Sequence, residues 1–153
     1  MSELKNRIRT DMTSAMKARD ELRTSTLRMV VAAITSAEVA GERARELSDD
    51  EVQAVVAAQA KKRREAAAAF AEGGRQELAE KETAEAAILA EYLPDQLSAE
   101  QVAEIVADVV ASTGAAGDGM KAMGRVMGAV QPRVQGRADG RMVAAEVKRQ
   151  LGA

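Results

Sequence analysis

Cysteine, histidine and tryptophan are all missing from the 153 residues, and Phe70 and Tyr92 are the only aromatic side chains. Without cysteine there are no disulfides, no thiolate nucleophile and no cysteine metal site, which fits a reducing compartment. Without histidine the chain lacks the commonest general base and the commonest transition-metal ligand. Few β-branched runs and almost no aromatic residues argue against a sheet, so an all-α fold is expected. No apolar run approaches the roughly 18 residues of a membrane span. The opening Met-Ser-Glu-Leu-Lys-Asn-Arg lacks the apolar stretch of a signal peptide. A cytoplasmic protein with no membrane partner is expected.

What is present is helical periodicity with clear stop signals. Leu4, Ile8, Met12 and Ala15/Met16 fall on one side of a helix over 2–18. Asp20 caps a second helix bearing Leu22, Leu27, Val30, Val31, Ile34 and Ala37, which Gly41 is expected to stop. Ser48 and Glu51 form a capping box for a long third helix over 49–72, with Val52, Val55, Val56, Gln59, Arg63, Ala66/Ala67 and Phe70 along one side. Gly73-Gly74 ends it. A fourth helix over 75–93, with Leu78, Ala86, Leu89 and Leu93 inward, completes an antiparallel hairpin. Pro94 closes that helix by steric exclusion of the residue before it. Ser98 and Gln101 open a helix carrying Val102, Ile105, Val106, Val109 and Val110, which ends at Gly114. Asp118 is the expected cap of a helix with Met123, Val126, Met127 and Val130 that breaks before Pro132. Asp139 caps a last helix with Val143, Val147 and Leu151. The octapeptide Glu91–Ser98 therefore divides the chain into an N-terminal helical domain, 1–93, and a small C-terminal three-helix domain, 94–153. A head of that size is marginal alone, so Tyr92, Leu93 and Leu97 are expected to pack against it.

Few residues offer chemistry. Lys61-Lys62-Arg63-Arg64 reads either as a solvated surface paired with acids such as Glu65, or as a phosphate contact through Lys61 and Arg64, which share a face. Arg75 stands at the hairpin tip and completes this secondary basic patch. Glu82 and Glu85 share a face, yet Glu77, Glu80, Glu82, Glu85 and Glu91 show no convergent partner, and no metal site or cofactor is expected. Thr24-Ser25-Thr26 has no adjacent base and no oxyanion loop. No catalytic residue is assigned. Gly124 and Gly128 either let a neighbouring helix approach or open backbone to a ligand or nucleic acid. Met120, Met123 and Met127 are either core or an adaptable interface.

Charge becomes directional only near the end. The whole chain carries −2, whereas residues 118–153 hold seven bases against three acids, an excess of +4. Lys121, Arg125, Arg133, Arg137 and Arg141 are the candidate nucleic-acid contacts, aimed at phosphates because no aromatic is there to stack on bases.

Three stretches also resemble the YqeY family, whose members carry the GatB/YqeY domain. They are Lys61–Phe70 with Gly73-Gly74-Arg75-Gln76-Glu77-Leu78-Ala79-Glu80-Lys81-Glu82, then Glu91-Tyr92-Leu93-Pro94-Asp95-Gln96-Leu97-Ser98, and last Met123–Gly128 with Gly136-Arg137-Ala138-Asp139-Gly140-Arg141. The resemblance implies an N-terminal helical domain followed by a C-terminal domain similar to the tail of the B subunit of tRNA-dependent amidotransferase. It implies association with tRNA, and as partners an amidotransferase or an aminoacyl-tRNA synthetase. It also implies the family label of carbon–nitrogen ligase activity with glutamine as amido-N-donor. A helical protein–protein adaptor without catalytic activity is the alternative.

Overall fold

A computed structural model describes residues 2–152. Among them are seven α-helices, one short 3-10 turn and no strand: α1 Glu3–Lys17, α2 Glu21–Glu38, α3 Asp49–Glu72, α4 Gln76–Ala90, α5 Ala99–Ser112, the 3-10 turn Gly119–Ala122, α6 Met123–Val134 and α7 Gly140–Gln150. The all-α expectation holds. Contacts within the chain cluster into two compact units, Met1–Leu93 and Pro94–Ala153.

In the first unit the expected caps do fix the helix starts. Asp20 accepts from the Arg23 amide, and Ser48 and Glu51 form the reciprocal capping box. Ser2 caps α1 and its hydroxyl also donates to Asp49, so the first turn of α1 is tied to the first turn of α3. Ile8, Leu27, Val30, Ile34, Leu47, Val52, Val56, Ala60, Ile88, Leu89 and Tyr92 make the buried core. Three of the expected features differ. Leu78, read as inward, is 39% exposed, and the buried face of α4 runs instead through Ala79, Glu85, Ala86, Ile88 and Leu89. Helix α4 ends at Ala90, ahead of the position where Pro94 would force it to stop, and turns at 91–93 seat Tyr92 and Leu93 against this unit's own core. Helix α2 ends at Glu38 with Val39 as its cap, before Gly41 is reached.

The α1 and α3 ends share one device. In each, the amide of the second residue past the cap donates to a carbonyl five residues back: Asp20 to Ala15 at 3.0 Å and Arg75 to Phe70 at 2.8 Å. This closure requires a left-handed residue between cap and donor. Gly74 supplies it at φ +75°, whereas α1 uses Arg19 at φ +58°.

The second unit has a core of twelve residues, nine of them valine: Val102, Val106, Val109 and Val110 from α5, Val126, Val130 and Val134 from α6, and Val143 and Val147 from α7, with Ala115, Ala122 and Leu151. Valine has one dominant rotamer in a helix, so burying it sacrifices little side-chain freedom. That suits a unit of only about sixty residues. Leu97 packs here, its amide bonded to the Arg137 carbonyl at 2.7 Å.

Two expectations about α6 are corrected. Asp118 makes no capping bond; a 3-10 turn precedes α6, and the Asp118 carboxylate instead pairs with Arg125. Pro132 lies inside α6, which continues to Val134. Proline forfeits one bond, here to the Gly128 carbonyl. Both residues are solvent-exposed, so water can take the place of the missing donor.

Candidate nucleic-acid interface

The last helix carries three bases, Arg141, Lys148 and Arg149, against one acid, Glu146. Val143, Val147 and Leu151 turn inward, and Asp139 fixes its start by accepting from the Arg141 amide at 2.9 Å. Arg141, Ala145, Lys148 and Arg149 are exposed and share the outer face. Its one acid, Glu146, lies to the side. Its carboxylate is bonded by Arg149 and by Gln150, and these bonds hold its pKa down at about 2. Arg149 is thereby drawn towards its own helix, while Arg141 and Lys148 make no ion pair among the described residues.

The five candidate contacts from the sequence have different surroundings. Lys121, in the 3-10 turn, and Arg141 are exposed. Arg125 is paired with Asp118 at 2.9 Å and Arg133 with Asp108 at 2.7 Å, all four side chains about half exposed or more. Surface pairs of this kind contribute at most about 1 kcal/mol, so they can reorganise for a stronger anion. Arg137 has a different task. Its guanidinium donates to the carbonyls of Asp95 at 3.2 Å and Arg133 at 3.4 Å, while Gln96 donates to the Gly136 carbonyl at 2.9 Å. Arg137 thus clasps the segment 94–97 to the α6–α7 loop. Lys148, which was only one of the counted bases in the sequence, stands beside Arg141 because seven residues are almost two full turns.

Gly124 and Gly128 do not admit a neighbouring helix. Both are exposed, and a Cβ built on either would meet nothing within 4 Å. Met123 and Met127 pack on the valine core, whereas Met120 is 46% exposed.

In the first unit, Arg64 is exposed, Lys61 is half-buried one turn earlier, and Arg75 is exposed at the N-cap of α4 with no side-chain capping bond. Arg64 lies eight residues before the end of α3, so roughly 12 Å of helix separates it from the hairpin tip and Arg75. The three bases do not converge.

A convergent cluster does exist where the sequence showed none. Arg63 of α3 places Nε 3.1 Å from Glu85 and 3.8 Å from Glu82, both on α4. Its Nη2 rests 3.2 Å from the Met29 sulfur of α2. Glu85 is 5% exposed. Burial, and then the neighbouring Glu82 charge, push its pKa above the usual carboxylate value, against the pull of Arg63 and Lys81. Nε of Arg63 and Oε2 of Glu82 are enclosed without a well-directed hydrogen bond. No group of three or more acidic side chains suited to a metal ion occurs among the described residues.

A family model described as Yqey-like protein matches residues 5–151. The chain belongs to the YqeY family. No curated protein matches it. The match takes in both units of this YqeY chain, including the Arg63–Glu82–Glu85 cluster and all of α7 up to Leu151. No helix of this YqeY protein is long and apolar enough to cross a membrane, among the residues described.

Proposed function

We propose that the C-terminal unit of this YqeY chain is a helical module that binds structured RNA, with tRNA as the ligand its family resemblance suggests. The observation that carries the reading is the outer face of α7, where Arg141 and Lys148 stand exposed and without an ion pair among the described residues, with Arg149 beside them. Lys121 adds a further base with no ion pair among the described residues, and Arg125 and Arg133 are held by exchangeable surface pairs. Such a surface engages phosphates, which position a nucleic acid without reading its sequence.

About four phosphate contacts give a log–log salt slope near −3. Fluorescence anisotropy with bulk tRNA tests this. Salt-sensitive binding that falls at least tenfold in the Arg141→Gln/Lys148→Gln variant is expected, with the far-ultraviolet circular dichroism unchanged. Absence of salt-sensitive binding at low ionic strength overturns the reading. The carbon–nitrogen ligase label attached to the family is a separate matter, and we assign this chain no transamidation chemistry of its own. Amide formation by the pure protein from glutamine, ATP and misacylated tRNA would refute that assignment. A protein partner, an amidotransferase or an aminoacyl-tRNA synthetase, is the second reading; the exposed thioether of Met120 supports it, and co-purification with such an enzyme tests it.

A further inference from the structure

Helix α7 presents its charges in a rigid frame. Its start is capped by Asp139, and Val143, Val147 and Leu151 lock its inner face into the valine core. Arg141 and Lys148 are seven residues apart, so their Cα atoms are separated by about 10.5 Å along the axis and by only about 20° around it. Between them the outer face carries Ala145, which is exposed and short. The profile is a saddle, with a cation at each end and a methyl group at its floor. A stiff, convex ligand can settle into such a profile and touch both cations at once.

Residues 94–153 contain no Phe, Tyr, Trp or His. Single-strand binders draw about 1–3 kcal/mol per base from aromatic stacking, and this unit offers no such plane. Of its guanidinium groups, Arg125, Arg133 and Arg149 rest on carboxylates and Arg137 on backbone carbonyls, which leaves Arg141 as a single exposed plane, too few for the successive stacking of a single strand. A flexible strand would also have to be ordered to match cations at fixed separation, an entropic cost that a preformed double helix does not incur. A-form duplexes are recognised by shape and by phosphate and 2′-hydroxyl contacts.

We propose that the α7 face docks on the phosphate backbone of double-helical RNA, so that its target within a folded RNA is a paired stem and not a loop or free end. This rests on the RNA-binding reading above. The test uses the full chain and two labelled RNAs with equal numbers of phosphates, a hairpin with a fully paired stem and an unstructured oligouridine. Anisotropy at matched salt is expected to show at least tenfold tighter binding of the hairpin, and the Arg141→Gln/Lys148→Gln variant is expected to lose that preference. Oligouridine binding as tightly as the hairpin, or a preference that survives in the variant, overturns the stem assignment while leaving RNA binding in place. Failure of both RNAs to bind at low salt overturns the RNA-binding reading itself.

Discussion

Replacing Glu85 by glutamine should make the protein more stable relative to wild type as the pH rises. Two carboxylates share one guanidinium at this site, with relative side-chain exposures of 6% for Glu85, 22% for Glu82 and 16% for Arg63. The charged groups that bear on Glu85 are Arg63 from α3 and Glu82 and Lys81 from α4; α2 contributes the Met29 thioether, which touches Arg63. With both carboxylates ionised the site holds one unmatched negative charge in a place where water is largely excluded. Burial is the main cause that raises the Glu85 pKa in the folded protein, so the folded chain binds this proton more tightly than the unfolded chain does. The stability linked to the group is then fully present below its unfolded value of about 4.5 and is lost as the pH climbs through its raised folded value. Glutamine keeps the shape and abolishes the titration.

The difference in unfolding free energy, Glu85→Gln minus wild type, should therefore grow above pH 4.5 and level off. Each pKa unit by which folding raises the Glu85 value adds about 1.4 kcal/mol to that rise, and Glu82 remains as the charged partner of Arg63 in the variant. Arg63→Met is the counterpart. It leaves two enclosed carboxylates without their cation and should cost about 3 kcal/mol at neutral pH, the lower end for broken buried pairs because Glu82 retains some solvent. Acidification should recover part of that loss. Urea unfolding followed by helical circular dichroism at a series of pH values measures all three proteins. A difference between Glu85→Gln and wild type that stays flat or shrinks with rising pH refutes the argument.

On the acid side the sign reverses. Arg45 holds Glu51 near a pKa of about 2, and Arg149 does the same for Glu146. Stability from these groups is present above about pH 4.5 and lost as the pH falls towards 2, so Glu51→Gln and Glu146→Gln should flatten the acid limb of a stability–pH curve. Arg19→Gly should stabilise by about 0.5–1 kcal/mol, because φ +58° suits glycine and strains any side chain; thermal unfolding checks it, and a lowered midpoint would count against it. Tyr92→Phe removes the 2.6 Å bond from the phenol to Asp11, whose side chain is 39% exposed, and should cost about 1 kcal/mol. An unchanged urea midpoint would show that water replaces the phenol without loss.

Where one residue decides a local structure, the sequence is enough to read it. Ser48 with Glu51, Ser98 with Gln101, Asp20 and Asp139 each announce a helix start through a side chain that reaches a nearby amide, and all four do so in the fold. Where the outcome depends on what lies across the helix, the sequence misleads. Leu78 fits a helical stripe, but the half of the α3–α4 hairpin beyond Arg63 is covered so thinly that between residues 61 and 84 only Ala79 is buried. The stripe there has nothing to face. Pro132 is a breaker in isolation, yet two residues from the end of α6 it loses one bond on a solvent-facing side, and the packing of Val130 and Val134 around it outweighs that loss.

The same distinction governs the charges. In the sequence Arg63 is one of four consecutive bases, and helical geometry already says that four cannot share a face. Which of them turns inward depends on α4, some twenty residues later, where Glu82 and Glu85 occupy the facing turn. In the second unit, Arg125, Arg133 and Arg137 look equivalent to Arg141 by residue type, but Asp118, Asp108 and the carbonyl of Asp95 claim the first three. Among the described residues Lys121 of the 3-10 turn escapes, and so do Arg141 and Lys148 of α7, because the one acid along that helix is bound by Arg149 and Gln150 of its own last turn. A count of bases in the sequence therefore overstates the charge available to a ligand, and what is available is concentrated on one helix. For the RNA-binding reading this has a sharp consequence. Neutralising Arg137 should lower stability before it touches affinity, whereas neutralising Lys148 should lower affinity and leave stability unchanged. If Arg137→Gln instead weakened tRNA binding in a protein of unaltered urea midpoint, the interface would have to be centred on the α6–α7 loop, away from the outer face of α7.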